Sequence, residues 1–283
     1  MTENLTDYCA QGASFNEEMI AISENVSLRF ITFKPAEKKN NPAIVFVPGW
    51  VSQMIGWREV LLELTKDFTV YYLETREKIS SVVKGNVRYS IEEMGKDIVE
   101  VINLLKLKEK EYLIFGSSLG ATLILDCCRF LKRKPLALIL VGPNAVFRVP
   151  RIWKAIVTVF YPPLYNLLKP SVKWYLRNFR LDLESDYAQY EKYSNTLDVA
   201  DPWKLKKAVL SVAKYEVWDL LKSIDIPTLI IGASKDKLHE PDNLRRIVSL
   251  LKNQAYINLE TNTKTHSKEM VYEMRKYIDS LKK

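Results

Sequence analysis

Cysteine is scarce in this 283-residue chain, which holds only Cys9, Cys127 and Cys128. Three thiols, two of them adjacent, cannot build a disulfide framework. They read as small core residues of a protein kept in a reducing compartment, and the expected location is cytoplasmic. The opening stretch MTENLTDYCAQG carries neither a basic segment nor an apolar one, so no secretory signal is expected. No apolar run reaches the roughly 18 residues of a membrane span. The nearest, Ile152 to Leu168, is interrupted by Lys154 and by Pro162-Pro163. Internal repeats and low-complexity tracts are absent. Histidine is nearly so, with His239 and His266 alone.

What is present is the composition of a globular protein, 47% hydrophobic and 27% charged. The length suits one large α/β domain or two small ones. The net charge is +8. Part of that excess lies between residues 145 and 222, where 13 Lys and Arg stand against 8 Asp and Glu, a net of +5. No nucleic-acid-binding motif accompanies it, so these cations read as a solvated surface and no nucleic-acid partner is expected.

Eight strands are predicted: Glu17 to Ile22, Val26 to Phe33, Ala43 to Val47, Phe68 to Leu73, Tyr112 to Phe115, Leu136 to Val141, Thr228 to Ile231 and Ala255 to Leu259. The first two pair as a hairpin around Ser23-Glu24-Asn25. The later ones are short and apolar on both faces, the pattern of a parallel sheet covered on both sides. Helical spacing falls between them. Ser90 and Glu93 form a capping box before an apolar stripe from Ile91 to Leu105. Further helices are expected over Leu119 to Leu131, Asn243 to Leu251 and Lys268 to Leu281. Alternation of this kind implies a doubly wound, mostly parallel sheet. It breaks once, over about 85 residues after Val141 that hold thirteen aromatic side chains between Trp153 and Trp218. A structureless loop of that length is improbable. The expected organisation is a core domain of residues 1–144 and 223–283, with a helical cap of residues 145–222 inserted after the sixth strand.

The stretch Glu111 to Ala121 reads EYLIFGSSLGA. An apolar strand runs into Gly116-Ser117-Ser118-Leu119-Gly120, and an amphipathic helix follows. Glycine two before and two after a serine, between strand and helix, is the pattern of a nucleophile elbow. Small residues are required there because the two backbones nearly touch. Ser118 is the candidate nucleophile, at a helix N-terminus that favours developing negative charge.

A serine hydroxyl needs a base, a group to orient the base, and donors for the oxyanion. His266 follows the last strand, on the same sheet edge as the elbow, and is the expected base. His239 reads as a surface residue. Asp236, just past the strand that ends Leu229-Ile230-Ile231, is the expected acid. Asp242 and Asp225 are weaker rivals, one deep in a helix-forming segment and one on the wrong edge. The oxyanion donors would be the N–H groups of Leu119 and of Trp50, the latter in the turn Pro48-Gly49-Trp50 after the third strand.

These motifs, spread over nearly the whole chain, resemble the α/β-hydrolase superfamily, specifically its capped esterase, lipase and peptidase-like branch. The order Ser118, Asp236, His266 is that family's order. The resemblance implies a cofactor-independent, metal-free serine hydrolase that cleaves a carboxylic ester of a small apolar or lipid-like substrate. An acyltransferase or thioesterase with the same triad, and a non-catalytic ligand-binding protein, are the alternatives. Two departures stand out. Pro48 replaces the histidine often found before the glycine. The stretch Glu74-Thr75-Arg76-Glu77-Lys78-Ile79-Ser80 lacks the family's glycines, so that loop should be shaped differently. The cap is expected to set the substrate. If any part touches a membrane surface, it is Ile152 to Leu168 with Arg148, Arg151 and Lys169.

Overall fold

The computed structural model describes residues 4–147, 151–181, 183, 186–213, 215–236 and 241–282. Strands β1 (Ser14–Ser23), β2 (Val26–Lys34), β3 (Ala43–Val47), β4 (Val70–Leu73), β5 (Val82–Val83), β6 (Tyr112–Ser117), β7 (Ala137–Val141), β8 (Thr228–Gly232) and β9 (Gln254–Asn258) form one sheet. Their order is β1-β2-β4-β3-β6-β7-β8-β9, with β5 paired to β2. The hairpin β1–β2 and the pairs β2–β4 and β2–β5 are antiparallel; every pair from β4 through β3 to β9 is parallel. The eight expected strands are therefore nine. Val82–Val83 is only two residues long, below what alternation can reveal, and it shifts the insertion from after the sixth strand to after the seventh.

Helices α1 (Arg58–Leu64), α2 (Ile91–Leu104), α3 (Leu119–Cys127), α4 (Arg151–Val159), α5 (Tyr165–Tyr175), α6 (Tyr187–Val199), α7 (Pro202–Val212), α8 (Trp218–Leu221), α9 (Pro241–Leu250) and α10 (Lys268–Leu281) complete the order. Strand alternation builds two cores. Val45, Val47, Ile114, Leu138, Leu140 and Ile230 face α2, α3, α8 and α9. Ile44, Phe46, Leu113, Phe115, Ile139, Leu229 and Ile231 face α1 and α10. Apolar side chains on both faces are what a parallel sheet covered on both sides requires.

Local signals account for the ends of these elements. Ser90 caps α2 by accepting from the Glu93 N–H. The helix after the elbow stops at Cys127 and tightens to a 3-10 turn over Cys128–Phe130, short of the expected Leu131. The segment between β7 and β8 is helical, α4 to α8, with a π-helical turn Leu176–Arg180 after α5. Its ends are tied together by a bridge between Val146 and Glu216 and by the Val217 N–H donating to the Ala145 carbonyl. Among the described residues, no helix is long and apolar enough to cross a membrane.

Candidate active site

The carboxyl ends of β3, β4, β6, β8 and β9 share one edge of the sheet, where ligands bind in open α/β folds. Ser118 stands there with φ 49° and ψ −114°, in the left-handed half of backbone space, as N-cap of α3. A non-glycine residue held so is strained by about 1–3 kcal/mol. The flanking glycines explain why the chain tolerates it. A Cβ on Gly116 would lie 2.3 Å from Ile124 Cδ1, and one on Gly120 2.3 Å from the Val47 carbonyl oxygen. The Ser118 N–H donates to the Val141 carbonyl (2.9 Å), fixing the elbow against β7. Leu119 is the first residue of α3, so its N–H has no acceptor within the helix.

The turn after β3 lies directly against the elbow. A Cβ on Gly49 would sit 3.3 Å from the Ser117 carbonyl oxygen and 3.4 Å from Ser118 Cβ. The Ser52 N–H closes the turn on the Gly49 carbonyl (3.1 Å), and Val51 takes φ 48°, unusual for a β-branched residue. Lys78 braces it. The Lys78 ammonium donates to the carbonyls of Gly49 (2.9 Å) and Ser52 (2.7 Å) from a buried position. Burial holds its pKa below the usual lysine range, opposed by the nearby Glu77 and Glu74 carboxylates. Lys78 belongs to the loop that departs from the family pattern. Its glycines are replaced by a buried polar cluster: Arg76 grips Asp97 through two hydrogen bonds (2.8 and 2.5 Å), and Thr75 donates to Glu77 (2.8 Å). Burial raises the Asp97 pKa, with Arg76 opposing. Lys204 of α7 then donates to the carbonyls of Lys78 and Ser81, both at 2.7 Å, tying this loop to the helical segment.

His266 lies in a 3-10 turn between β9 and α10. Its Nδ1 is 2.9 Å from the Asn262 carbonyl oxygen. A carbonyl only accepts, so Nδ1 carries the proton and Nε2 the lone pair. Nε2 is 2.6 Å from the Nζ of Lys192. The Trp57 ring covers the imidazole, with ring centroids 4.0 Å apart, and is held by its own bond to Ser52 Oγ (3.1 Å). Asp236 is buried, and its two oxygens accept from Gln189 Nε2 (3.0 Å) and Asn262 Nδ2 (2.9 Å).

Three residues of the segment 186–192 thus reach the Asp236 and His266 loops at helical spacing. Asp186, the N-cap of α6, accepts from the Thr263 N–H and hydroxyl. Gln189 holds Asp236, and Lys192 meets His266 and Asn262 Oδ1 (3.4 Å). Burial lowers Lys192 to about 7, with the charges of Asp236 and Asp186 pulling it back up.

One cavity of about 800 Å³ gathers these groups. Ser118, Asp236, His266 and Trp50 all line it, together with Lys192 and apolar side chains including Phe147, Val172, Leu176 and Leu244. Asp225 instead pairs with Lys134 (2.7 Å), and Asp242 is exposed beside Arg245, so neither rival acid joins the site. His239 lies outside the described residues. Trp57, Lys78, Gln189, Lys192 and Asn262 had no place in the sequence reading. The spacing Asp186, Gln189, Lys192, three residues apart along one helix face, was a usable signal for part of this set.

The chain matches no protein-family model and no curated protein. Solved structures do resemble it. A hydrolase from Pseudomonas aeruginosa PA01 superposes with a TM-score of 0.75 at 18% identity, covering 94% of this chain and 98% of that one. A thermophilic esterase from Thermogutta terrifontis gives 0.73 at 18% identity, over 95% and 99%. The enol-lactonase from Burkholderia xenovorans LB400 gives 0.74 at 16% identity, over 93% and 99%. With the sheet order and the turn at Ser118, these likenesses identify the architecture: this chain has the α/β-hydrolase fold.

Proposed function

We propose that the chain is a serine hydrolase that cleaves a carboxylic ester through an acyl-enzyme. The observation that carries this reading is the strained Ser118 at the strand-to-helix turn, opening on the cavity that His266 and Asp236 also line. The similar structures named hydrolase, esterase and enol-lactonase support the same chemistry. In the proposed reaction His266 Nε2 takes the Ser118 proton as Oγ attacks the acyl carbonyl. The N–H groups of Leu119 and Trp50 hold the oxyanion. His266 then gives the proton to the leaving group and activates the water that frees the acid. Asp236 carries the negative charge that steadies the imidazolium. Residues 145–222 act as a cap, and the apolar lining from Phe147, Val172 and Leu176 favours an uncharged or lipid-like acyl group.

Lys192 Nζ lies 2.6 Å from His266 Nε2, the atom that would take the Ser118 proton. That contact favours a second reading, a ligand-binding protein whose base is occupied. A fluorophosphonate probe separates the two. The hydrolase reading expects covalent labelling at Ser118 and turnover of short acyl esters, both lost in Ser118→Ala. Absence of labelling in folded wild-type protein, with no ester turnover, would overturn the hydrolase reading. Product analysis with competing alcohols or thiols then distinguishes hydrolysis from acyl transfer.

A further inference from the structure

Helices that pack on a core turn their apolar stripe inward. Helices α4 and α5 turn much of theirs outward. On α4, Ile152, Ile156 and Val159 recur at one helix face, and Ile152 and Val159 are 74% and 85% exposed. Along α5 and the turn after it, Leu167 is 75% exposed, Trp174 60% and Phe179 62%. Aromatic contacts link part of this surface. Trp174 and Phe179 meet edge to face at 5.4 Å, and Tyr161, between the two helices, meets Trp203 of α7 at 6.0 Å. Exposed apolar side chains gathered along these helices in this way mark a contact surface.

The charge around it selects the partner. Residues 145–222 carry a net +5. Lys169 and Lys173 are taken up by Asp198, and Lys206 by the carbonyls of Thr158 and Phe160. Arg151 and Lys154 lie on α4 among its exposed apolar residues, and Arg177, over the Tyr190 ring at 6.0 Å, lies in the turn after α5. A second copy meeting the same face would set these cations against their own counterparts. An anionic surface meets them favourably. Amphipathic helices with exposed Leu, Trp and Phe and flanking cations lie in the plane of a bilayer interface. The cavity side of α5 completes the geometry: Val172 and Leu176 of the same helix and turn line the pocket over Ser118.

We propose that α4, α5 and the turn after it dock on an anionic lipid bilayer, placing the mouth of the cavity next to the acyl chains. The docking does not depend on catalysis. Only its consequence, a substrate drawn from the bilayer, rests on the hydrolase reading.

The test is co-sedimentation of the full chain with phosphatidylcholine vesicles, alone or mixed with phosphatidylglycerol, beside sedimentation velocity without lipid. The expected result is binding to the phosphatidylglycerol vesicles. It should weaken at least about tenfold on phosphatidylcholine alone, and as much in a Val159→Asp, Leu167→Asp double variant. Both positions are exposed, so thermal unfolding of that variant should match wild type, and fluorophosphonate labelling in lipid-free solution reports on Ser118 separately. Wild type that stays in the supernatant with both vesicles overturns the proposal. Vesicle binding unchanged in the double variant does so too, as does a dimer lost in that variant while vesicles capture nothing.

Discussion

Replacing Lys78 by methionine removes the ammonium that bridges Gly49 and Ser52 while keeping a side chain of similar length. Each of its two bonds from a charged donor to a backbone carbonyl is worth about 1.5–3 kcal/mol. Against that loss, the variant no longer buries an ammonium, a penalty of several kcal/mol in a protein interior. The two nearly offset, so the melting temperature should move by only a few degrees. The local effect is different. Trp50 and Val51, the latter at φ 48°, lie between the two carbonyls that Lys78 holds. Without the brace the turn relaxes, and in the proposed mechanism the Trp50 N–H that would hold the oxyanion shifts with it. A full donor is worth about 2.7–4 kcal/mol of transition-state stabilisation. Losing about half of it slows acylation by roughly tenfold to thirtyfold. The assay is the second-order rate of fluorophosphonate labelling, with kcat and KM for a short acyl ester. The expected pattern is a fall in labelling rate and kcat with KM within about twofold. Folded Lys78→Met that labels at the wild-type rate would refute the assignment of Lys78 as the brace of the oxyanion turn.

Three further outcomes are expected. Gly120→Ala puts a methyl group 2.3 Å from the Val47 carbonyl oxygen and should cost about 3 kcal/mol, read by urea unfolding; a variant as stable as wild type contradicts the close approach. Lys192, lowered to about 7 from its ordinary 10.5, binds fewer protons folded than unfolded between those values, so stability rises with pH across that window and the penalty is complete below it. Lys192→Met should therefore raise the melting temperature more at about pH 6 than at about pH 10, and an equal gain at both would show that Lys192 is not depressed. Gln189→Leu leaves one oxygen of buried Asp236 without its amide donor and should lower kcat several-fold while Ser118 still labels; unchanged kcat would remove Gln189 from the site.

The core was legible because its signals are local. The short apolar runs of β3, β6, β7 and β8 marked a sheet covered on both faces, and Gly116 and Gly120 pointed to a strand-to-helix turn where the two backbones nearly touch. The two-residue strand Val82–Val83 left no such pattern. The site was legible only as far as it follows strand ends: Ser118, Asp236, His266 and Trp50 all line the cavity. Lys78 was not, because its loop breaks the family pattern, and its role depends on a fold-back onto Gly49 across 29 residues. Lys192 and Gln189 leave only their three-residue spacing in the sequence, and their partners come from tertiary structure, which lays α6 across the loops of Asp236 and His266.

The stripe Asp186, Gln189 and Lys192 has a consequence for how such a protein diversifies. Helix α6 and its N-cap hold Asp236 and touch His266 and its loop, so this helix cannot be exchanged as a detachable module. A graft of another protein's helices onto this sheet would have to bring a carboxylate, an amide and an amine at the same three-residue intervals. Recombination within residues 186–192 is therefore constrained by those contacts, while α4 and α5 answer to the exposed apolar face and, through Val172, to the cavity lining.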